Sequence, residues 1–131
     1  MKGLDTNGLV RLLVDDDPEQ ADRAEAFIRR EHAAGSRCYV NKIVLCELVW
    51  VLERTYGYPR ADVANALERL LHTAPLRLEG REDVRAAVRT YRDGRSDFAD
   101  HLIGATNRNA GCTRTATFDR KATRLDTFEA L

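Results

Sequence analysis

Residues 44–52, Val-Leu-Cys-Glu-Leu-Val-Trp-Val-Leu, constrain the fold more than any other stretch of the chain. At about 100° per residue, Val44, Leu45, Leu48, Val49, Trp50, Val51 and Leu52 cover nearly the whole wheel of a helix. A helix apolar all round is a buried helix, so neighbouring layers must cover it. Glu47 is the one charged residue among residues 44–52. The expectation is therefore a buried carboxylate, which needs a partner. Arg54 shares its face but lies about two turns, roughly 10 Å, further along the axis. Two readings stay open for Glu47: a salt bridge to a distant arginine, or a metal-ligating or catalytic role.

The rest of the chain alternates short apolar runs with helical patterns. Leu9, Val10, Leu12, Leu13 and Val14 form a helical run that Asp15-Asp16-Asp17-Pro18 breaks. Pro18 suits the first position of the next helix, and the aspartates suit a solvated loop at its N-terminus. That helix carries Ala21, Ala24, Phe27 and Ile28 on one face to about Ala33, and Gly35-Ser36 ends it. Cys38-Tyr39-Val40 reads as a buried strand, with Asn41 capping the Glu47 helix. Pro59 opens a helix with Val63, Ala66, Leu67, Leu70 and Leu71 at helical spacing, and Leu76-Arg77-Leu78 alternates as a strand does. Val84, Ala87, Val88 and Tyr91 repeat the helical period until Gly94. A helix from about Ser96 to Ala110, a strand over Thr113–Phe118, and a helical turn with an apolar tail close the chain. With 131 residues and 14.8 kDa, this pattern predicts one α/β domain spanning 1–131, with a short, mainly parallel central sheet flanked by helices.

Composition excludes several functions. The 21 basic and 21 acidic residues cancel, so the strongly basic footprint of many nucleic-acid binders is absent. Arg85, Arg89, Arg92, Arg95, Arg108, Arg114, Arg120, Lys121 and Arg124 do gather in the last third, as a solvated surface or as phosphate contacts. No run approaches the roughly 18 apolar residues of a membrane span. The opening Met-Lys-Gly-Leu-Asp-Thr-Asn sets an Asp where a secretory leader needs its apolar stretch, so a cytoplasmic protein is expected. Cys38, Cys46 and Cys112 form no CxxC pair; Cys38 and Cys46 read as small core residues. His32, His72 and His101 stand at no zinc spacing and read as solvated, although His101 could brush an acidic edge. GxGxxG, GxxxxGK[ST] and GxSxG are all missing.

The chemistry rests on four carboxylates. Asp5 follows the first strand, at the edge where open α/β sheets bind ligands; it is equally placed to cap the helix that follows. Glu47 is the helix carboxylate above. Asp100 stands three residues after Asp97, on the side of a helix wheel that also holds His101, Gly104, Asn107 and Arg108, while Phe98, Ala99, Leu102, Ile103, Ala105 and Thr106 form the other side. A mid-helix Gly104 costs about 1 kcal/mol and marks close approach by something. Asp119 ends the last strand, as a ligand or as the cap of the turn through Ala122. Acids scattered in sequence and gathered by a fold are what a hard divalent cation requires.

Leu-Asp-Thr-Asn at the start, Cys-Glu-Leu-Val-Trp-Val-Leu, Asp-Phe-Ala-Asp-His-Leu-Ile-Gly-Ala and Thr-Phe-Asp-Arg-Lys-Ala occur in this order along the whole chain. The set resembles the PIN domains, and within them the toxin ribonucleases of VapBC-type toxin–antitoxin pairs. The resemblance implies that Asp5, Glu47, Asp100 and Asp119 form the acidic quartet, with Asp97 an additional acid. Thr6 and Thr117 match positions whose hydroxyls lie beside the site, and Asn7 a supporting position. It further implies Mg²⁺, or Mn²⁺, as cofactor, and RNA as the substrate, cut to leave a 5′-phosphate and a 3′-hydroxyl. As partners it implies a homodimer and a VapB-type antitoxin laid over the active-site groove.

Two other classes compete. A metal-dependent phosphatase with Asp5 as nucleophile would want a second acid two residues on, where the chain has Asn7. A catalytically inactive PIN-like scaffold that binds RNA or protein has no need for all four acids.

Overall fold

The computed structural model describes residues 1–131, which divide into two compact units, Met1–Glu79 and Gly80–Leu131. In the first unit, β1 (Lys2–Gly3), β2 (Cys38–Val40) and β3 (Leu76–Leu78) form a parallel sheet in that order. Lys2 pairs with Cys38, and Cys38 through Val40 pair with Leu76 through Leu78. Parallel neighbours need crossovers. Helices α1 (Thr6–Leu13) and α2 (Pro18–Ala33) make the first, and α3 (Lys42–Trp50) and α4 (Arg60–Leu71) the second. Period-two burial places Cys38, Val40, Leu76 and Leu78 inside and Arg77 outside. Leu9, Leu45, Leu48, Leu52, Val63 and Leu67 complete the core.

Local chemistry sets the helix ends. Asn41 Oδ1 accepts the Val44 amide at 2.8 Å, and Asp17 Oδ1 the Gln20 amide at 3.1 Å, with Pro18 opening α2 as expected. The aspartate loop is more than solvated. Asp16 takes the Tyr56 hydroxyl at 2.7 Å and the Arg11 guanidinium at 3.0 Å, tying the loop to the π-helical turn Val51–Thr55 that follows α3.

The second unit packs α5 (Arg81–Asp93) on α6 (Phe98–Asn109), followed by β4 (Thr115–Thr117) and β5 (Phe128–Ala130), a parallel pair. Tyr91 is fully buried, edge-on to Phe98 at 5.6 Å and to His101 at 6.2 Å. The α/β class and the parallel strands agree with the sequence. Three details differ: the expected last strand shortens to Thr115–Thr117, the expected apolar tail is strand β5, and the strands lie in two parallel sheets. Residues 125–130 lack strand alternation, and pairing with Thr115–Thr117 is what extends their end.

Three side chains also depart from expectation. Glu47 is exposed, on a face of α3 shared with Ile43 (73% exposed) and Trp50 (52%). The wheel showed apolar content without showing which side the sheet would cover. His101 is 3% exposed, its Nδ1 2.8 Å from the Thr90 hydroxyl. Ile103, assigned to the apolar side of α6, is 47% exposed instead. Gly104 has a packing reason: a Cβ there would stand 2.8 Å from the Thr127 Cβ and 3.1 Å from the Phe128 ring. What approaches this glycine is the chain entering β5, not a ligand.

Candidate active site

The first unit brings Asp5, Thr6, Asn7 and Glu47 together through α1. Asp5 ends the extended run after β1, and its Oδ1 accepts the Gly8 amide at 2.9 Å as the N-cap of α1. The cap uses one carboxylate oxygen, leaving Oδ2 for another partner; capping and ligation are compatible. One residue on, the Thr6 hydroxyl donates to Glu47 Oε1 at 3.1 Å across 41 positions of sequence. That bond docks the start of α1 on the middle of α3 and orients Glu47. The alternative of a salt bridge to Arg54 is not realised, since the Arg54 guanidinium lies over the Trp50 ring at 4.8 Å. Asn7 is exposed on the first turn of α1.

The second unit brings together Asp97, Asp100 and Asp119. Asp97 is the residue before α6, and Asp100 sits in its first turn, half-buried. Asp119 follows β4. Its amide is held by the Thr117 hydroxyl at 3.0 Å, and its Oδ1 accepts the Lys121 amide at 2.8 Å, the turn cap anticipated from sequence. The Asp100 carboxyl is pushed above its ordinary value, first by desolvation, then by the charge on Asp119, then by that on Asp97. Asp119 and Asp97 therefore repel the half-buried Asp100 carboxylate.

No group of three or more His, Cys, Asp or Glu side chains stands closely enough to hold a metal ion. The donor set nonetheless fits one chemically. Carboxylate oxygens are the ligands of Mg²⁺ and Mn²⁺, and a cation would offset the charges of Asp119 and Asp97 at Asp100. Neither Cys38 nor Cys46 competes for this role: burial pushes both thiols up, away from reactive thiolates.

The model of the PIN domain matches residues 3–127. The chain belongs to the PIN-domain family. It is also 27% identical over 125 residues to a VapC ribonuclease of Aquifex aeolicus (strain VF5), a match covering 95% of this chain and 92% of the relative. The resemblance carried by the four motifs thus has a counterpart along nearly the full length of a curated protein. No solved structure matches the chain.

Sequence reasoning missed the Thr6–Glu47 bond and the Thr90–His101 pair. Neither has a local signal, because each joins side chains from different elements. A third omission was legible: Arg23, Phe27 and Arg30 recur at helical spacing on α2, where Phe27 was grouped only with Ala21, Ala24 and Ile28.

Proposed function

We propose that this chain is a divalent-metal-dependent endoribonuclease, the toxin of a type II toxin–antitoxin pair, and that residues 1–131 act as one PIN domain. Asp5, Glu47, Asp100 and Asp119 serve the hydrolysis, with Asp97 as an additional acid. The observation that carries this reading is the PIN-domain match over residues 3–127, which takes in Asp5, Glu47, Asp97, Asp100 and Asp119. The VapC relative supports RNA as the substrate.

These carboxylates would hold Mg²⁺ or Mn²⁺. The chemistry such an ion supplies when bound is water of lowered pKa beside the scissile phosphate, with charge that screens the phosphate from the acids. The chain's own residues do the rest. Thr6 fixes the Glu47 carboxylate, the Gly8 amide fixes Asp5, and Thr117 with the Lys121 amide fixes Asp119. Pinned acids hold their positions without reorganising when the substrate arrives. Attack by water breaks the bond from phosphorus to O3′, leaving a 5′-phosphate and a 3′-hydroxyl.

A VapB-type antitoxin and a second copy of the chain are the proposed partners; the exposed Ile43 and Trp50 on α3 give a protein partner apolar surface to cover. No helix is long and apolar enough to cross a membrane, and the cytoplasm is the proposed location. Incubating the purified protein with RNA, with Mg²⁺ and with chelator, tests the reading. Cleavage in Mg²⁺ that is lost in Asp100→Asn supports it, and cleavage undiminished by chelator overturns the metal role.

A further inference from the structure

Two grooves mark the first unit, and their chemistries differ. One, of about 360 Å³, is floored by Leu12, Leu13, Ile28 and Leu70. The other, of about 530 Å³, lies along α1 and α2. Its lining contains Arg11, Arg23 and Arg30 and no carboxylate, and its only large apolar side chain is Phe27. Arg23 and Arg30 are exposed, whereas Arg11 is held by Asp16 and by Gln20 at 2.6 Å. The Arg30 guanidinium lies 5.4 Å from the centre of the Phe27 ring. Asn7 and Gly8 form the groove's other end, and the Gly8 amide is the donor to Asp5. The groove therefore runs from a half-buried aromatic ring, with Arg30 at 5.4 Å and the Glu31-paired Lys2 at 5.5 Å from its centre, to the backbone that holds a candidate catalytic carboxylate.

We propose that this groove binds single-stranded RNA, with backbone phosphates on Arg23 and Arg30 and a base against Phe27, and that it leads the strand to Asp5. The proposal rests on the ribonuclease reading and adds where the substrate lies. Arg23 and Arg30, exposed in a lining without carboxylates although Arg11 is tied to Asp16, suit a polyanion, and an aromatic beside a guanidinium is a platform on which any base can stack. An acidic peptide helix is the less suited occupant, because Ala24, Ala26 and Phe27 offer it little apolar area. The neighbouring leucine-lined groove offers more. The sequence offered the arginines of the last third as a solvated surface or as phosphate contacts; the geometry points to α2.

The test is binding of a fluorescently labelled single-stranded RNA in chelator, so that no cutting occurs, across a salt series. Arg23→Ala/Arg30→Ala should weaken binding about tenfold or more at low salt and reduce the salt slope by about 1.4, two contacts at roughly 0.7 each. Phe27→Leu should weaken binding about fivefold with the slope unchanged. Arg23→Lys/Arg30→Lys should restore most of the slope, and the exposed positions of both arginines leave the melting temperature in place. Wild-type affinity and slope in the double alanine variant would overturn the proposal, as would a wild-type protein with no affinity for RNA. So would a groove that takes a polyglutamate peptide through Arg23 and Arg30 while RNA binding ignores them. RNA bound through these residues but never cut in Mg²⁺ contradicts the ribonuclease reading alone. RNA cut with wild-type KM by the double alanine variant contradicts the groove alone.

Discussion

Glu47 faces solvent and takes its hydrogen bond from a hydroxyl, so Glu47→Gln strands no buried cation. Stability measured by thermal melting in chelator should stay within about 0.5 kcal/mol of wild type. RNA cleavage in Mg²⁺ should nevertheless fall, together with the stabilisation that Mg²⁺ confers on the folded protein. A loss of several kcal/mol with the metal response intact would return Glu47 to the salt-bridge reading. Asp100 gives a prediction of opposite character. Its folded-state pKa is raised, so its favourable contribution is complete below the unfolded pKa and is lost as pH rises through the folded pKa. Without metal, Asp100→Asn should therefore raise the melting temperature at neutral pH, and the gain should vanish on acidification below the carboxylate range. An equal gain at both pH values would remove charge as its cause.

At the scale of elements, α6 carries both a carboxylate of the site and a packing constraint. Alanine at position 104 gains about 1 kcal/mol of helix propensity, but its Cβ meets Thr127 and Phe128 inside contact distance. Overpacking of this kind costs about 1–3 kcal/mol, and the backbone around β5 leaves little room to yield. Gly104→Ala should thus lower the melting temperature, and an unchanged or higher value would show that β5 moves aside. The same helix shows what a sequence can and cannot disclose. Asn41, Asp17 and Pro18 were legible because capping is local, a matter of spacing over three residues. Helix α6 itself was legible, but its rotation was not: His101 is buried and Ile103 exposed because Tyr91 and Phe98 set the packing. Strand β5 was hidden for the same reason, since its partner lies across a turn. Of the candidate site, the acids were readable from their motifs, whereas the Thr6–Glu47 bond and the crowding of Asp100 by Asp119 arise only from tertiary neighbours.

For the whole molecule, the acids are divided between two compact units, with Asp5 and Glu47 in one and Asp97, Asp100 and Asp119 in the other. Expression of the chain alone should arrest bacterial growth, with relief when its antitoxin is co-expressed; harmless expression at verified soluble levels would favour the inactive scaffold. The central claim is that these acids serve a metal-dependent cleavage of RNA. Its most direct measurement is the rate of RNA cleavage in saturating Mg²⁺ for wild type, Asp5→Asn and Asp100→Asn, one substitution in each unit, with folding checked by circular dichroism. The account predicts that each variant, though folded, loses about a hundredfold or more in rate, and that the double variant loses little beyond either single one, as residues acting together do. A wild-type rate in either variant would contradict it.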